Sequence, residues 1–260
     1  MNFSPIRPRG TPIRGTGGEA TGAVSLMEVI NQTGEVIKAG GGRRTALMMC
    51  LRYDHADILE FLNRKFNKMD LNADSLKDSI MDAFPNLPLN ELNEIVEIYT
   101  ADNESIFKHL IKHQLDLRLK NANVSVLVND EFFDKVRNDE DIEFVWRNNE
   151  VGKVKAKELW QMMIYNSYQS GEPGILNEGL ANKMNNIWYH KPLISTNPCG
   201  EIWLEEYGCC DLGAINLSTH LLPDKSDYDW DKLADSCLVG VRFLDDVLDV
   251  NTYPTPEIEK

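Results

Sequence analysis

The residues best suited to chemistry lie in Thr196-Asn-Pro-Cys-Gly-Glu201 and, a few positions on, in Tyr207-Gly-Cys-Cys-Asp-Leu-Gly-Ala-Ile-Asn-Leu217. If the first segment is extended, alternate residues project to one side. Asn197, Cys199 and Glu201 then present an amide, a thiol and a carboxylate together. Such a trio can hold, attack and deprotonate a hydroxylated substrate. Pro198 and Gly200, on the opposite side, suit a stiff and closely approached loop tip. Cys209 and Cys210 add two adjacent thiols. A structural zinc site is an alternative for these three cysteines, but the spacing C-x9-C-C lacks the C-x2-C knuckle of zinc sites. Small buried hydrophobes are the other alternative, since free cysteine is commonly buried.

Two further patterns carry charge chemistry. Arg9 to Gly22 and Lys38-Ala-Gly-Gly-Gly-Arg-Arg-Thr45 are basic and glycine-rich. Backbone N–H groups freed by glycine, backed by Arg43 and Arg44, suit phosphate contacts, although a solvated basic loop has the same composition. His109 and His113 stand at i, i+4 and could share a metal, but no third ligand accompanies them, so they read as a solvated helix face. No metal is expected.

The elements that must position these groups follow from periodicity. Residues 1–22, rich in Gly, Pro, Thr and Arg, read as an ordered loop or tail, and Val24 to Ile30 as a short apolar piece. The glycine turn at 38–45 runs into a strand at Ala46 to Leu51, and a helix over about 55–67 is capped by Asp54, with Asp57 in its first turn. Residues 70–115 form a helical insertion with breaks at Pro85 and Pro88. The β-branched run Asn123 to Val128 is a buried strand, and Asn129-Asp130 caps the helix after it. A helix from 155 stops before Gly171, and Leu233, Cys237, Val241, Leu244 and Leu248 form the stripe of a helix over 231–250. Tyr253 to Lys260 looks like the start of another helix. Strands alternating with helices make the chain α/β.

Composition bounds the function. The chain has 260 residues, 42% hydrophobic and 26% charged, which is globular and excludes a hormone or disulfide-stapled mini-protein. A net charge of -14 argues against a DNA or RNA polymer as partner, although residues 1–44 carry a local excess of basic groups. Five cysteines, two of them adjacent, favour a reducing cytoplasm over a secreted framework. No apolar run approaches the roughly 18–20 residues of a membrane span, so neither export nor membrane anchoring is expected.

NPCGE followed by YGCCDLGAINL resembles the active-site segment of ribonucleotide reductase large subunits, most closely the adenosylcobalamin-dependent class. That class has NPCGE, then YG, a small residue and Cys-Asn-Leu-Gly-Ser-Ile-Asn-Leu. The stretches IRPRGTPIRGTGGEATGAVSLM, GGGRRTALMMCLRYDHADILEFL, NVSVLVNDEFF, GEPG and VRFLDDVLDVNTYPTPEIE agree in the same order, so only about 70–115 is unmatched.

The resemblance implies part of a ten-stranded α/β barrel, with 193–217 as the active-site loop and strand and 197–201 on a finger loop in its interior. Residues 1–50 would supply specificity-site loops and a strand. Cys199 resembles the cysteine that becomes a thiyl radical and removes the ribose 3' hydrogen. Glu201 resembles the base for the 3' hydroxyl proton, and Asn197 the amide that holds the ribose hydroxyls. Cys210 occupies the position of a reducing cysteine. Cys209 replaces a small residue and Asp211 an Asn, so which of the two thiols is redox-active stays open. Arg9, Arg14, Lys38, Gly41, Gly42, Arg43 and Arg44 fall in loops resembling the allosteric nucleotide site.

The implied activity is reduction of ribonucleotides with adenosylcobalamin and a dithiol such as thioredoxin, under a deoxynucleotide or ATP effector. The resemblance further implies that the partner reducing cysteine lies upstream of this chain and a phosphate-binding loop downstream of it; Cys50, in the strand after the glycine loop, and Cys237, on a helix stripe, read as core packing and do not replace that partner. The chain therefore reads as a central fragment, inactive by itself and dependent on the remaining reductase segments, as from a split gene. The alternatives are a non-catalytic nucleotide-binding remnant that modulates an intact reductase, and a stand-alone thiol oxidoreductase.

Overall fold

The computed structural model describes residues 1–13, 15, 17–39, 43–63, 119, 121–147 and 149–259. Arg14, Gly41, Gly42, the 70–115 insertion, His109 and His113 lie outside the described residues, as do the side chains of Lys38, Arg43 and Arg44. The chain divides into two compact units, Met1–Trp203 and Leu204–Lys260.

The first unit is built on a parallel sheet of β3 (Leu47–Arg52), β4 (Ala122–Val128) and β7 (Gly174–Asn177), in that order. Leu47 faces Ala122 and Arg52 faces Leu127, while Ser125 faces Gly174. β3 and β4 are largely buried on both faces, as parallel strands usually are, and β7 is half-buried. Met49 and Leu51, with Val124, Val126 and Val128, join one large core. Met48, Cys50 and Leu127 point the other way and pack with Leu176 and Trp203. That second face supports the candidate site. The β-branched residues of β4 account for the strand, and Asn123 is its one exposed position.

The large core lies under helices. α1 (Ala23–Val36) includes the short apolar piece, and its N-cap is Gly22, which has no side chain to cap with. The cap comes from elsewhere: the Asp57 carboxylate accepts from Ala23 N (2.8 Å) and Arg9 N (2.9 Å). Asp54, expected to cap α2 (Ile58–Asn63), instead pairs with Arg52 at 2.8 Å, and Arg52 also reaches Glu178. A basic side chain two residues away competes for a carboxylate that the sequence pattern assigns to a helix end. The described part of the expected 55–67 helix begins at Ile58.

The helix α3 (Asp130–Asn138) starts as expected, with Asn129 Oδ1 accepting from Phe132 N at 3.0 Å. Asp130 and Glu131 in its first turn and Lys135 and Arg137 in its last complement the helix dipole. Substituting Asn129 by Ala should lower stability by about 1 kcal/mol, measured as a shift in urea midpoint at constant m. Phe132 is fully buried, with ring centroids 4.9 Å from Tyr53 and 6.1 Å from Trp160. An antiparallel hairpin, β5 (Asp141–Trp146) and β6 (Asn149–Lys155), follows and was not expected from the sequence. Then comes α4 (Ala156–Ser170), which ends at Gly171 in the left-handed region (φ 77°), as its sequence implies.

At the start of the unit the described residues of the 1–22 segment form a loop, bridged at Asn2 to Cys50 and between Pro12 and Glu19. Two short strands, β1 (Lys38–Ala39) and β2 (Arg43–Arg44), pair antiparallel. The unit closes with α5 (Glu178–Lys183), β8 (Ser195–Thr196) and the start of β9 (Trp203–Leu204), which pairs with β8.

The second unit contains a 3-10 turn (Leu217–His220), α6 (Trp230–Val250) and α7 (Pro256–Glu259). Asp229 caps α6 through Lys232 N at 3.0 Å, and buried His220 meets Ser236 Oγ at 2.8 Å. No residue of α6 is buried, and Cys237 is exposed, so its expected core packing is not met in this unit. A four-residue turn cannot cover the stripe of a 21-residue helix. Among the described residues no helix is long and apolar enough to cross a membrane.

Candidate active site

The loop from Ser195 to Trp203 is a closed hairpin rather than the extended segment its alternation suggested. Asn197 N donates to Ile202 O (3.2 Å), while Asn197 O accepts from Gly200 N (3.0 Å). The latter bond makes Asn197 to Gly200 a β-turn, with Pro198 at the second position and Cys199 at the third. Cys199 has no positive φ, which makes the turn type I in character, and Gly200 follows in the left-handed region at φ 86°. Pro198 fixes the φ that the second position requires. Gly200 serves its backbone conformation, not a close approach, because a Cβ there would meet no atom within 4 Å.

The turn changes what the three candidate groups do. The side-chain oxygen of Asn197 accepts from Ile202 N at 3.1 Å, which replaces the backbone acceptor that Gly200 has taken. Its Nδ2 donor makes no hydrogen bond among the described residues. The thiol of Cys199 is exposed at the tip, and Glu201 is exposed beside it. The arrangement offers one amide donor, one sulfur and one carboxylate around a single reversal of the chain.

The loop is held against the second face of the sheet. At its base, Ser195 Oγ lies 3.5 Å from Cys50 Sγ, and Asn2 Nδ2 donates to Ile194 O at 3.1 Å. Cys50 is fully buried; burial pushes its thiol above the ordinary range, and the Ser195 contact only partly opposes this. It is a neutral packing group, as the sequence reading expects. At the tip, Asn123 Nδ2 donates to Pro198 O at 2.5 Å across 75 residues. Sequence reasoning missed this contact, whose only signal was an Asn at the head of a β-branched strand.

Cys209 and Cys210, in the second unit, are exposed, lie in a stretch without helix or strand, and form no disulfide. Among the described residues no group of three or more His, Cys, Asp or Glu is arranged to hold a metal ion. The exposure of the Cys199 sulfur suits attack by a radical generated on a cofactor.

Of the residues expected at a nucleotide-binding site, Arg9 has its guanidinium engaged. Its Nε and Nη2 donate to the two Glu60 oxygens at 2.8 Å, and Nη2 also donates to Ser25 Oγ. The bond to Glu60 raises its pKa further above the usual arginine value. Arg9 thus ties its loop to α1 and α2. Lys38 and Arg44 stand opposite each other in the β1–β2 ribbon, on either side of the glycine run.

Residues 1–260 match the family model described as ribonucleotide reductase, barrel domain. Similar relatives include the vitamin B12-dependent ribonucleoside-diphosphate reductase of Thermoplasma acidophilum, 33% identical over 262 residues, covering 100% of this chain and 28% of the relative. The protein of the same name from Mycobacterium tuberculosis is 31% identical over 260 residues, covering 98% and 30%. The ribonucleoside-diphosphate reductase subunit alpha of Chlamydia pneumoniae is 28% identical over 268 residues, covering 100% and 24%. The chain therefore spans less than a third of the length of these relatives.

Proposed function

The chain belongs to the ribonucleotide reductase family, within its barrel domain, and from that premise we propose that Cys199 carries the reacting sulfur in reduction of ribonucleotides to deoxyribonucleotides. The mixed α/β fold, with a parallel sheet left open among the described residues, fits that domain. The observation that carries the reading is the β-turn that presents Cys199 at its tip with Asn197 and Glu201 as flanking groups.

The names of the relatives point to adenosylcobalamin, which when bound would provide the radical that Cys199 takes up. A sulfur radical on Cys199 would take the 3' hydrogen of the ribose and return it to C3' at the end of the turnover. Glu201 accepts the 3' hydroxyl proton, and the adjacent 2' hydroxyl leaves as water. Nδ2 of Asn197, not used within the loop, donates to a ribose hydroxyl. A dithiol supplies the two electrons and two protons and is left as a disulfide, so one ribonucleotide and one dithiol give one deoxyribonucleotide, one disulfide and water. Cys210, with Cys209 as the alternative, takes part in that dithiol, and a thioredoxin-like protein regenerates it. The segment 1–50 responds to a deoxynucleotide or ATP effector.

The test uses the reductase assembly that contains residues 1–260, supplied with a ribonucleoside diphosphate, adenosylcobalamin and a dithiol. Glu201→Gln should lower kcat by roughly 10²–10⁴-fold. Undiminished turnover by this variant would remove Glu201 from the mechanism.

A further inference from the structure

We propose that Asn123 is a positioning residue for the Cys199 thiol, acting through the peptide bond that precedes it. The proposal rests on Cys199 as the reacting group.

Type I and type II turns share the same bond between their first and fourth residues and differ by a flip of the central peptide. In this loop the central peptide joins Pro198 to Cys199. Proline at the second position is compatible with both forms, so Pro198 does not select between them. The flip carries Cys199 to a positive φ, which is disfavoured for a residue with a Cβ, and it redirects the Cα–Cβ bond that aims the sulfur. The bond from Gly200 N to Asn197 O survives either way. The preference of Cys199 for negative φ opposes the flip, and a hydrogen bond on the central carbonyl adds to that preference and fixes the direction of the carbonyl.

Asn123 supplies that bond. Its Nδ2 donates to Pro198 O at 2.5 Å, on the carbonyl that would turn over in the flip. The other fastenings lie elsewhere on the loop: Cys50 and Asn2 hold residues 194 and 195, and the side chain of Asn197 closes the loop on itself. Asn123 is not placed for packing, being the exposed position of an otherwise buried strand, and asparagine is a poor strand former. Its register opposite Met48 puts it beside the second face of the sheet, where Trp203 of the same loop is seated.

The experiment compares wild type, Asn123→Asp and Cys199→Ala in the same reductase assembly, with ordinary substrate and substrate deuterated at C3'. Asn123→Asp keeps the shape and removes the donor. It should lower kcat at least tenfold, leave KM within twofold, and raise the deuterium effect on kcat as hydrogen transfer from C3' becomes more limiting. Asn123→Gln, which retains a donor, should recover part of the loss. An unchanged kcat in Asn123→Asp would overturn the proposal. So would a lower kcat with an unchanged isotope effect, which is what a misfolded fraction gives. Activity in Cys199→Ala would instead overturn the assignment of the sulfur, whatever Asn123 does.

Discussion

Replacing Cys199 with Ala is expected to abolish deoxyribonucleotide formation, by at least roughly 10³-fold, without loss of folded protein. The size follows from the role: no other group in the loop can take a hydrogen atom from carbon, so removing the sulfur removes the step. Cys199→Ser should fail as completely, because an oxygen in place of sulfur keeps the size of the side chain and loses the radical chemistry. The fold should be indifferent. The side chain is exposed, its backbone avoids the left-handed region, and nothing in the turn bonds to the sulfur. Stability within about 0.5 kcal/mol of wild type is expected for such a surface position. The measurement is product formed by the complete assembly, alongside thermal unfolding of the same preparation. Turnover near the wild-type rate would mean that the sulfur is not the reacting group.

The parts of the structure that sequence disclosed are those governed by near neighbours. At Asn129 the apolar period changes from that of a strand to that of a helix, and the same residue supplies the cap, so β4 and α3 were legible together. Gly171 marked the end of α4 for an equally local reason. The 197–201 segment is a sharper lesson. Its residue types suggested the chemistry, but alternation was the wrong geometry, and Pro198 with Gly200 had already signalled a turn. The hairpin of β5 and β6 escaped because its reversal lacks the glycine pairings that mark tight hairpins. Asn123 and Asp57 could not be found locally at all, because their partners are 75 and 34 residues away. The stripe of α6 announced a helix but not its burial, since a stripe says which face would be covered and not what covers it.

The largest structural effect is expected at Gly22, where two costs fall on one residue. Its φ is 90°, so any side chain is strained there, at about 1–2 kcal/mol. A Cβ would also stand 2.7 Å from Asp57 Oδ2, 2.9 Å from Arg9 Cβ and 3.1 Å from Arg9 N. The carboxylate cannot retreat freely, because its two oxygens hold Ala23 N and Arg9 N. Displacing it leaves Ala23 N at the start of α1 and Arg9 N in the preceding loop without their acceptor, at about 1–3 kcal/mol each where buried. Gly22→Ala should therefore destabilise by about 3–5 kcal/mol, the range associated with strain combined with a lost cap. Gly10→Ala is the control, since it shares a positive φ of 75° but would meet no atom within 4 Å; it should cost about 1 kcal/mol. Asp57→Ala should cost about 2–3 kcal/mol alone. Combined with Gly22→Ala, it should give much less than the sum, because the clash and the cap involve the same carboxylate. Equal losses at Gly22 and Gly10 in urea unfolding would show that backbone strain alone governs the position. Full additivity of Gly22→Ala and Asp57→Ala would show that the carboxylate is not what the added methyl group displaces.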